Sequence, residues 1–379
     1  MKPASRFENV DVSIIRQINA LATSLTTNLG LGEPNLEPDE TFREMARAAA
    51  GAGSWQYTAN AGNLGLRTRI AGSLDGTYDP RTEVCVTAGT QEGLFAIAQA
   101  YVEAGDEVLT PDPGFLSYDV LVRLAGGMPV HYRLDAETWQ PDTHAIASLI
   151  TERTRAIILN SPSNPTGAVI PEAVLREIVE LARSRGLLVI SDEVYREIHY
   201  GDRPASVAGM GTHVLVVSGL SKSHGMTGLR LGWVAAEQSL MLPILRAHQY
   251  IATCASAFSQ QLAEAVFTNS RWNASWLASV REQFGQQREA ALDAARLHLH
   301  SDLAPPAGAF YLFVPVPLCD TLSLAKALAT DAAVLVIPGM AFGPGGEGFL
   351  RISYAASVEQ IQTGIRHIGE YLGSRRIEN

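Results

Sequence analysis

Val217-Ser-Gly-Leu-Ser-Lys-Ser-His-Gly-Met-Thr-Gly-Leu-Arg-Leu-Gly232 decides how this chain is read. It places one lysine, Lys222, among small residues just after the apolar run His213–Ser218, with Arg230 eight residues further on. Lysine is rarely buried without a task. A desolvated lysine near other cations has a lowered pKa and makes a good imine-forming nucleophile. An arginine nearby is suited to clamp a phosphate as a two-pronged fork. Alone, the phrase fits a solvated Ser/Lys loop about as well, because short motifs match by chance. Its surroundings carry the decision.

Upstream, short apolar runs alternate with helical patterns. Strands are expected at Glu83–Thr87, Glu107–Pro111, Pro129–Tyr132, Arg155–Asn160, Leu187–Ser191, His213–Ser218 and Leu231–Ala235. Ala156-Ile-Ile-Leu159 and Leu187-Leu-Val-Ile190 are continuous apolar runs, which suit strands covered on both faces. Helical patterns at Gln91–Glu103 and Pro171–Arg185 lie between them, with Pro171 at a helix start, where its missing N–H costs nothing. The alternation predicts an α/β fold: a mainly parallel sheet of seven strands sandwiched by helices, with its ligand at the carboxyl ends of the strands. Beyond about residue 270 the texture changes. A long helix (Trp272–His300), the Pro-punctuated Ala304-Pro-Pro-Ala-Gly308, short strands Phe310–Val314 and Phe349–Tyr354 and a helix from Val358 predict a smaller α+β domain. The expected division is a large domain over 38–278 and a discontinuous small domain formed by 1–37 with 279–379.

The composition allows this. The chain has 379 residues, 46% apolar and 18% charged, enough to bury two cores. A net charge of -10 gives no basic face for nucleic acid. Cys85, Cys254 and Cys319 match no zinc pattern, and an odd count argues against a disulfide framework. Cys85, inside an apolar run, reads as a buried structural thiol. No apolar stretch is long enough to span a bilayer and the first ten residues lack a signal core, so a cytoplasmic protein with no membrane, nucleic-acid or metal partner is expected.

Three further phrases fall at strand ends. Val86-Thr-Ala-Gly-Thr-Gln91 closes a strand and opens a helix, a ready anion site through backbone N–H groups and the helix N-terminus. Asn160-Ser-Pro-Ser-Asn-Pro-Thr-Gly167 is a polar loop with Asn164–Pro165 a candidate cis bond, and Ser191-Asp-Glu-Val-Tyr195 puts Asp192 and Tyr195 just past another strand.

With these phrases in place, the sequence resembles the class I/II aminotransferases of the fold-type-I pyridoxal-phosphate (PLP) enzymes. The resemblance runs from Ser13-Ile-Ile-Arg16 and Leu31-Gly-Glu-Pro34, through Tyr57-Thr-Ala-Asn-Ala-Gly62 and Leu66-Arg67, to Pro306-Ala-Gly-Ala-Phe310, Pro338-Gly339, Phe342-Gly343 and Leu350-Arg-Ile-Ser353. It implies pyridoxal 5'-phosphate as cofactor, with Lys222 as the Schiff-base lysine and the base that moves the substrate's α-proton. Asp192 is implied to pair with the pyridinium nitrogen, worth on the order of 5 kcal/mol at 3 Å and an effective dielectric of 20. Tyr195 and Asn164 are implied on the ring's phenolic oxygen, and Phe115 stacked on the ring. Gly89, Thr90, Gln91, Ser221 and Arg230 are implied around the phosphate, with Tyr57 reaching it from a partner subunit. Arg351, with the Gly32 backbone and Asn164, is implied to take the substrate α-carboxylate. The implied activity moves an amino group between an L-amino acid and a 2-oxo acid in a homodimer with sites at the interface. A β/γ-lyase or replacement enzyme of the same fold is the alternative. An amino-acid sensor without catalysis is a third reading, disfavoured because no basic DNA-binding module is visible.

Bland readings stand beside these. Arg351 on a strand, taken alone, reads as a surface ion-pairing residue. Phe115 reads as core, although its place after Pro113 favours stacking. Ser218 is a site support or a strand end, and Tyr118 is core or substrate wall. His224 is read as packing in the cofactor wall. Gly343-Pro-Gly-Gly-Glu-Gly348 matches G-x-G-x-x-G, but it precedes a strand and Pro344 suits a turn, so no dinucleotide site is expected. A shortened segment between Arg67 and Val86, with Ala59-Asn-Ala61 and Asn63, departs from the family pattern near the substrate entrance. Arg246, His248 and Tyr250 are candidates for setting specificity, and no second arginine is assignable to a distal carboxylate.

Overall fold

The strand Thr154–Asn160 shows how the main sheet is made. Ile157 and Leu159 enter one apolar core and Ala156 and Ile158 another, because successive side chains in a strand point to opposite faces. A run apolar at every position is therefore a strand buried on both sides. The computed structural model describes residues 4–8, 10–52, 55–300, 303–317 and 320–377. Cys319 lies outside the described residues.

In chain order the strands are β1 (Thr27–Asn28), β2 (Val84–Thr87), β3 (Glu107–Asp112), β4 (Met128–Arg133), β5 (Thr154–Asn160), β6 (Leu188–Asp192), β7 (Val214–Gly219), β8 (Gly232–Ala236), β9 (Tyr311–Pro315), β10 (Val334–Leu335), β11 (Ile337–Pro338) and β12 (Phe349–Ser353). The seven expected strands form one sheet, ordered β2-β8-β7-β6-β5-β3-β4. β8 runs antiparallel to both its neighbours and the remaining pairs are parallel. Helix Thr90–Tyr101 feeds the core on one face and Glu172–Arg185 the core on the other. The second of these stops at Gly186, whose φ of 68° is the left-handed turn that frees its N–H for the Ala182 and Arg183 carbonyls. Pro171 sits one position earlier than expected, as the extended residue before the helix.

A separate core joins β9, β11 and β12, an antiparallel sheet, to the helices Ser270–Leu299 and Val358–Ile377. The N-terminal segment joins this core. β1 pairs with β10, and Ser353 donates its N–H to the Leu29 carbonyl. The fold thus brings Gly30, Gly32 and Arg351 against the carboxyl edge of the large sheet. Among the described residues, no helix is long and apolar enough to cross a membrane, and no His/Cys/Asp/Glu group is arranged to hold a metal.

Candidate active site

β6 ends at Asp192, β5 at Asn160 and β7 at Gly219, so the loops leaving these strands collect along one edge of the sheet. Between that edge and β12 lies a cavity of about 510 Å³, lined among others by Gly32, Thr90, Gln91, Phe115, Asn164, Asp192, Tyr195, Ser221, Lys222, Arg230 and Arg351. The sequence-predicted residues converge there, with two exceptions. Gly89 lies just behind the wall. Tyr57 is 85% exposed and lies outside the cavity.

Asp192 is buried. Its Oδ2 accepts the Tyr118 hydroxyl at 2.9 Å and its Oδ1 accepts the Val194 N–H at 3.2 Å. Burial raises its pKa to about 6, against the opposing pull of those hydrogen bonds and of Lys222. Lys222 donates from Nζ to the Gly32 carbonyl at 2.5 Å. Burial first, then repulsion from Arg351, lowers its pKa to about 8. That leaves an appreciable fraction of free amine near neutral pH, the form able to attack a carbonyl.

Arg351 is 1% exposed, so its surface reading is wrong. One Nη donates to Asn164 Oδ1 at 3.0 Å, the other to the Gly30 carbonyl at 2.5 Å. Its guanidinium lies 4.5 Å from the centre of the Tyr311 ring and 4.9 Å from that of Phe342. Its Nε is buried without a partner. A buried cation with an unused donor beside a free amine is a receptor for a small anion. The Tyr195 hydroxyl lies 2.7 Å from that of Tyr311.

The anion turn depends on two glycines. At Gly89, φ is 89°, and a Cβ would lie 2.8 Å from Arg230 Nη2. At Gly232 a Cβ would lie 2.6 Å from the Thr90 N. No other residue allows the helix Thr90–Tyr101 to start so close to the Arg230 loop. Phe115 lines the cavity edge-on to Tyr118, with ring centroids 5.6 Å apart.

The family model for class I and II aminotransferases matches residues 25–368. The chain belongs to the class I and II aminotransferase family. A putative aminotransferase of Bacillus subtilis, YugH, is 36% identical over 96% of this chain and 97% of its own length. An aspartate aminotransferase of Pyrococcus abyssi is 34% identical over the whole of both chains. The solved aromatic aminotransferase of Pyrococcus horikoshii superposes with a TM-score of 0.88 at 34% identity, covering 96% of this chain and 100% of its own. Amino-group transfer is thereby favoured over elimination or replacement, and the fold is that of the fold-type-I enzymes.

Several residues of this aminotransferase differ from their sequence reading. Tyr118, left open between core and wall, carries the hydrogen bond to Asp192. Tyr311 looked like strand core and nothing in the sequence marked it. Ile15, Arg16, Glu33 and Thr227 also line the cavity. His224 is not in the cofactor wall. It is buried on the far side of the lysine loop, bonded to Ser223 and Asn273, and lines a separate cavity of about 160 Å³ together with Ser218. Burial lowers its pKa to about 4, so it stays neutral. Arg246, His248 and Tyr250 do not line the aminotransferase cavity; Tyr250 is 88% exposed. The glycine run after Phe342 is a turn: Gly345 donates its N–H to Asp112 Oδ1 at 2.7 Å. Cys85 is buried as expected, and Asn164–Pro165 is cis, as are Asp112–Pro113 and Ser161–Pro162.

Proposed function

We propose that this aminotransferase is a cytoplasmic homodimer that binds pyridoxal 5'-phosphate covalently through Lys222 and exchanges the amino group of an L-amino acid with a 2-oxo acid. The observation that carries the reading is the meeting of three groups in one cavity: a desolvated Lys222, a buried Asp192 and a buried Arg351 with an unpartnered Nε. Class I and II aminotransferases are PLP-dependent, and the bound cofactor supplies an electron sink for the bond broken at the substrate's Cα.

The chain's own residues would divide the work among them. Asp192 would pair with the ring nitrogen. A cation there stabilises the carboxylate that burial disfavours, and the carboxylate in turn holds the proton on the nitrogen. Tyr195 and the Asn164 amide nitrogen would bind the ring oxygen, and Phe115 would stack on the ring. The N–H groups of Thr90 and Gln91, at the turn made by Gly89, with Ser221 and Arg230, would take the phosphate, joined by Tyr57 of the partner subunit, while the Gly89 N–H itself closes the turn on the Thr87 carbonyl. Arg351 takes the α-carboxylate with Asn164 and the Gly32 backbone, which fixes Cα within reach of Lys222. Lys222, as the free amine, moves the α-proton. Residues 38–278 would form the cofactor-binding domain and 1–37 with 279–379 the domain that carries Arg351. The cytoplasmic assignment rests on the cysteine content, with Cys85 and Cys254 both free.

The test is the visible spectrum of the purified protein during addition of single amino acids, beginning with aspartate and aromatic donors. A yellow band that bleaches with a donor alone and returns with 2-oxoglutarate or pyruvate is expected. Ammonia release with a persistent band would move the enzyme to the lyases, and no band after PLP is supplied would overturn the cofactor assignment.

A further inference from the structure

Behind the anion turn lies a buried histidine that the cavity does not use. His248 stands in the last turn of the helix Gln238–Ile251 and is 0% exposed. Its Nδ1 lies 3.0 and 3.1 Å from the two carboxylate oxygens of Glu92, and its Nε2 lies 3.0 Å from the Asn60 carbonyl oxygen. Both partners are acceptors, so the ring meets both only when each nitrogen carries a hydrogen.

Each partner leads to a part of the phosphate site. Glu92 lies in the first turn of the helix Thr90–Tyr101, and its Oε2 accepts the Ala88 N–H at 3.1 Å, holding the turn that presents Gly89 and Thr90. Asn60 belongs to the segment that carries Tyr57. That segment is moored at further points: Asn60 Nδ2 donates to the Thr253 carbonyl at 2.7 Å, Val86 N–H donates to the Ala61 carbonyl at 2.9 Å, and Gln260 Nε2 donates to Thr58 Oγ1 at 3.0 Å. His248 is therefore a side chain that joins the Tyr57 segment to the anion turn.

We propose that His248 is a positioning residue that locks the anion turn of its own site to the segment presenting Tyr57 to the other subunit's site. The proposal rests on the reading that PLP phosphate sits at this turn and that Tyr57 crosses a dimer interface. His248 acts through Glu92 and Asn60 and touches no cofactor atom. An apolar residue in its place leaves the Asn60 carbonyl without the ring and the Glu92 carboxylate with only the Ala88 N–H, and both segments relax to find new partners.

The experiment is titration of apoenzyme with PLP, followed by the visible band, for wild type, His248→Leu, Glu92→Ala, Glu92→Gln, Tyr57→Phe and the His248→Leu/Tyr57→Phe pair. Glu92→Ala cuts the link from its better-solvated end, so the test stands if His248→Leu does not fold. His248→Leu and Glu92→Ala are each expected to raise the dissociation constant for PLP about tenfold. Glu92→Gln accepts from Ala88 and donates to a ring with one proton, so it should stay within about threefold of wild type. The double variant should fall short of the product of its single effects, because His248 acts partly through Tyr57. Wild-type affinity in both His248→Leu and Glu92→Ala, or full multiplication in the double variant, would overturn the proposal. Failure of the underlying reading looks different: wild type itself would bind no PLP.

Discussion

Desolvation acts on both walls of the cavity, and it produces opposite kinds of site. On the large-sheet wall it moves Asp192 up to about 6 and Lys222 down to about 8, so both titrate near the working pH. On the small-sheet wall it also lowers the pKa of Arg351, yet a guanidinium starts so high that it stays charged. The fold spends burial on the first wall to make groups that change protonation, and on the second to make a fixed cation. The difference explains why a lysine and an arginine, both buried, are not interchangeable here.

The comparison breaks most sharply at Lys222. Lys222→Ala removes the one lysine amine among the described residues of the cavity wall, and turnover should fall by at least about a thousandfold, the upper part of the range for acid–base groups. Steady-state rates with the best donor check this, and retained activity would end the assignment. Asp192→Asn tests the same wall from the side of stability. A carboxyl whose folded pKa is raised from 3.8 to about 6 contributes its full stability below pH 3.8 and loses it as pH rises to about 6. Above that pH the ionised Asp192 costs the apoprotein up to about 3 kcal/mol. Asp192→Asn removes that cost, with its amide oxygen accepting the Val194 N–H and its NH2 donating to the Tyr118 hydroxyl, which can accept as well as donate. The variant apoprotein should therefore outlast wild type in urea at pH 7.5, with the gap closing toward pH 4. An equal gap at both pH values would mean that Asp192 ionisation carries no cost.

The two walls were also unequally legible in the sequence. The seven strands of the large sheet were readable because a strand buried on both faces is apolar at every position, as in Ala156-Ile-Ile-Leu159. Asp192, Asn164 and Lys222 were readable because they come just after such strands, where the sheet edge must hold its ligand. The small-sheet wall is built across long separations. Arg351 meets Asn164 and Gly30 through contacts that no local pattern announces, and it entered the sequence reading only by family resemblance. Tyr311 went unmarked because a tyrosine beside Phe310 on a strand looks like core, and only the close approach of the Tyr195 hydroxyl gives it a role. His224 misled for the opposite reason. It is two residues from Lys222, but the turn sends the side chains to opposite sides of the loop.

On the small-sheet wall, Arg351→Lys keeps the charge and removes the fork. The value of kcat/KM for amino donors should fall about a hundredfold, mostly through KM, since hydrogen bonds to charged groups are worth about 1.5–3 kcal/mol. A fall confined to kcat, with KM unchanged, would mean that Arg351 holds no ground-state carboxylate.

The smallest effect, and the finest probe of the large-sheet wall, belongs to Tyr118→Phe. The ring stays, so the packing against Phe115 stays, and only the hydrogen bond to Asp192 is lost. That bond stabilises the ionised carboxylate, so its loss raises the Asp192 pKa further. If catalysis needs Asp192 ionised, the acid limb of the kcat/KM profile must move to higher pH. The expected loss is about fivefold to tenfold at neutral pH, with most of the activity recovered in more alkaline buffer. A loss of the same size at every pH would instead make Tyr118 a shape-filling residue, and the tuning of that wall would then come from burial alone.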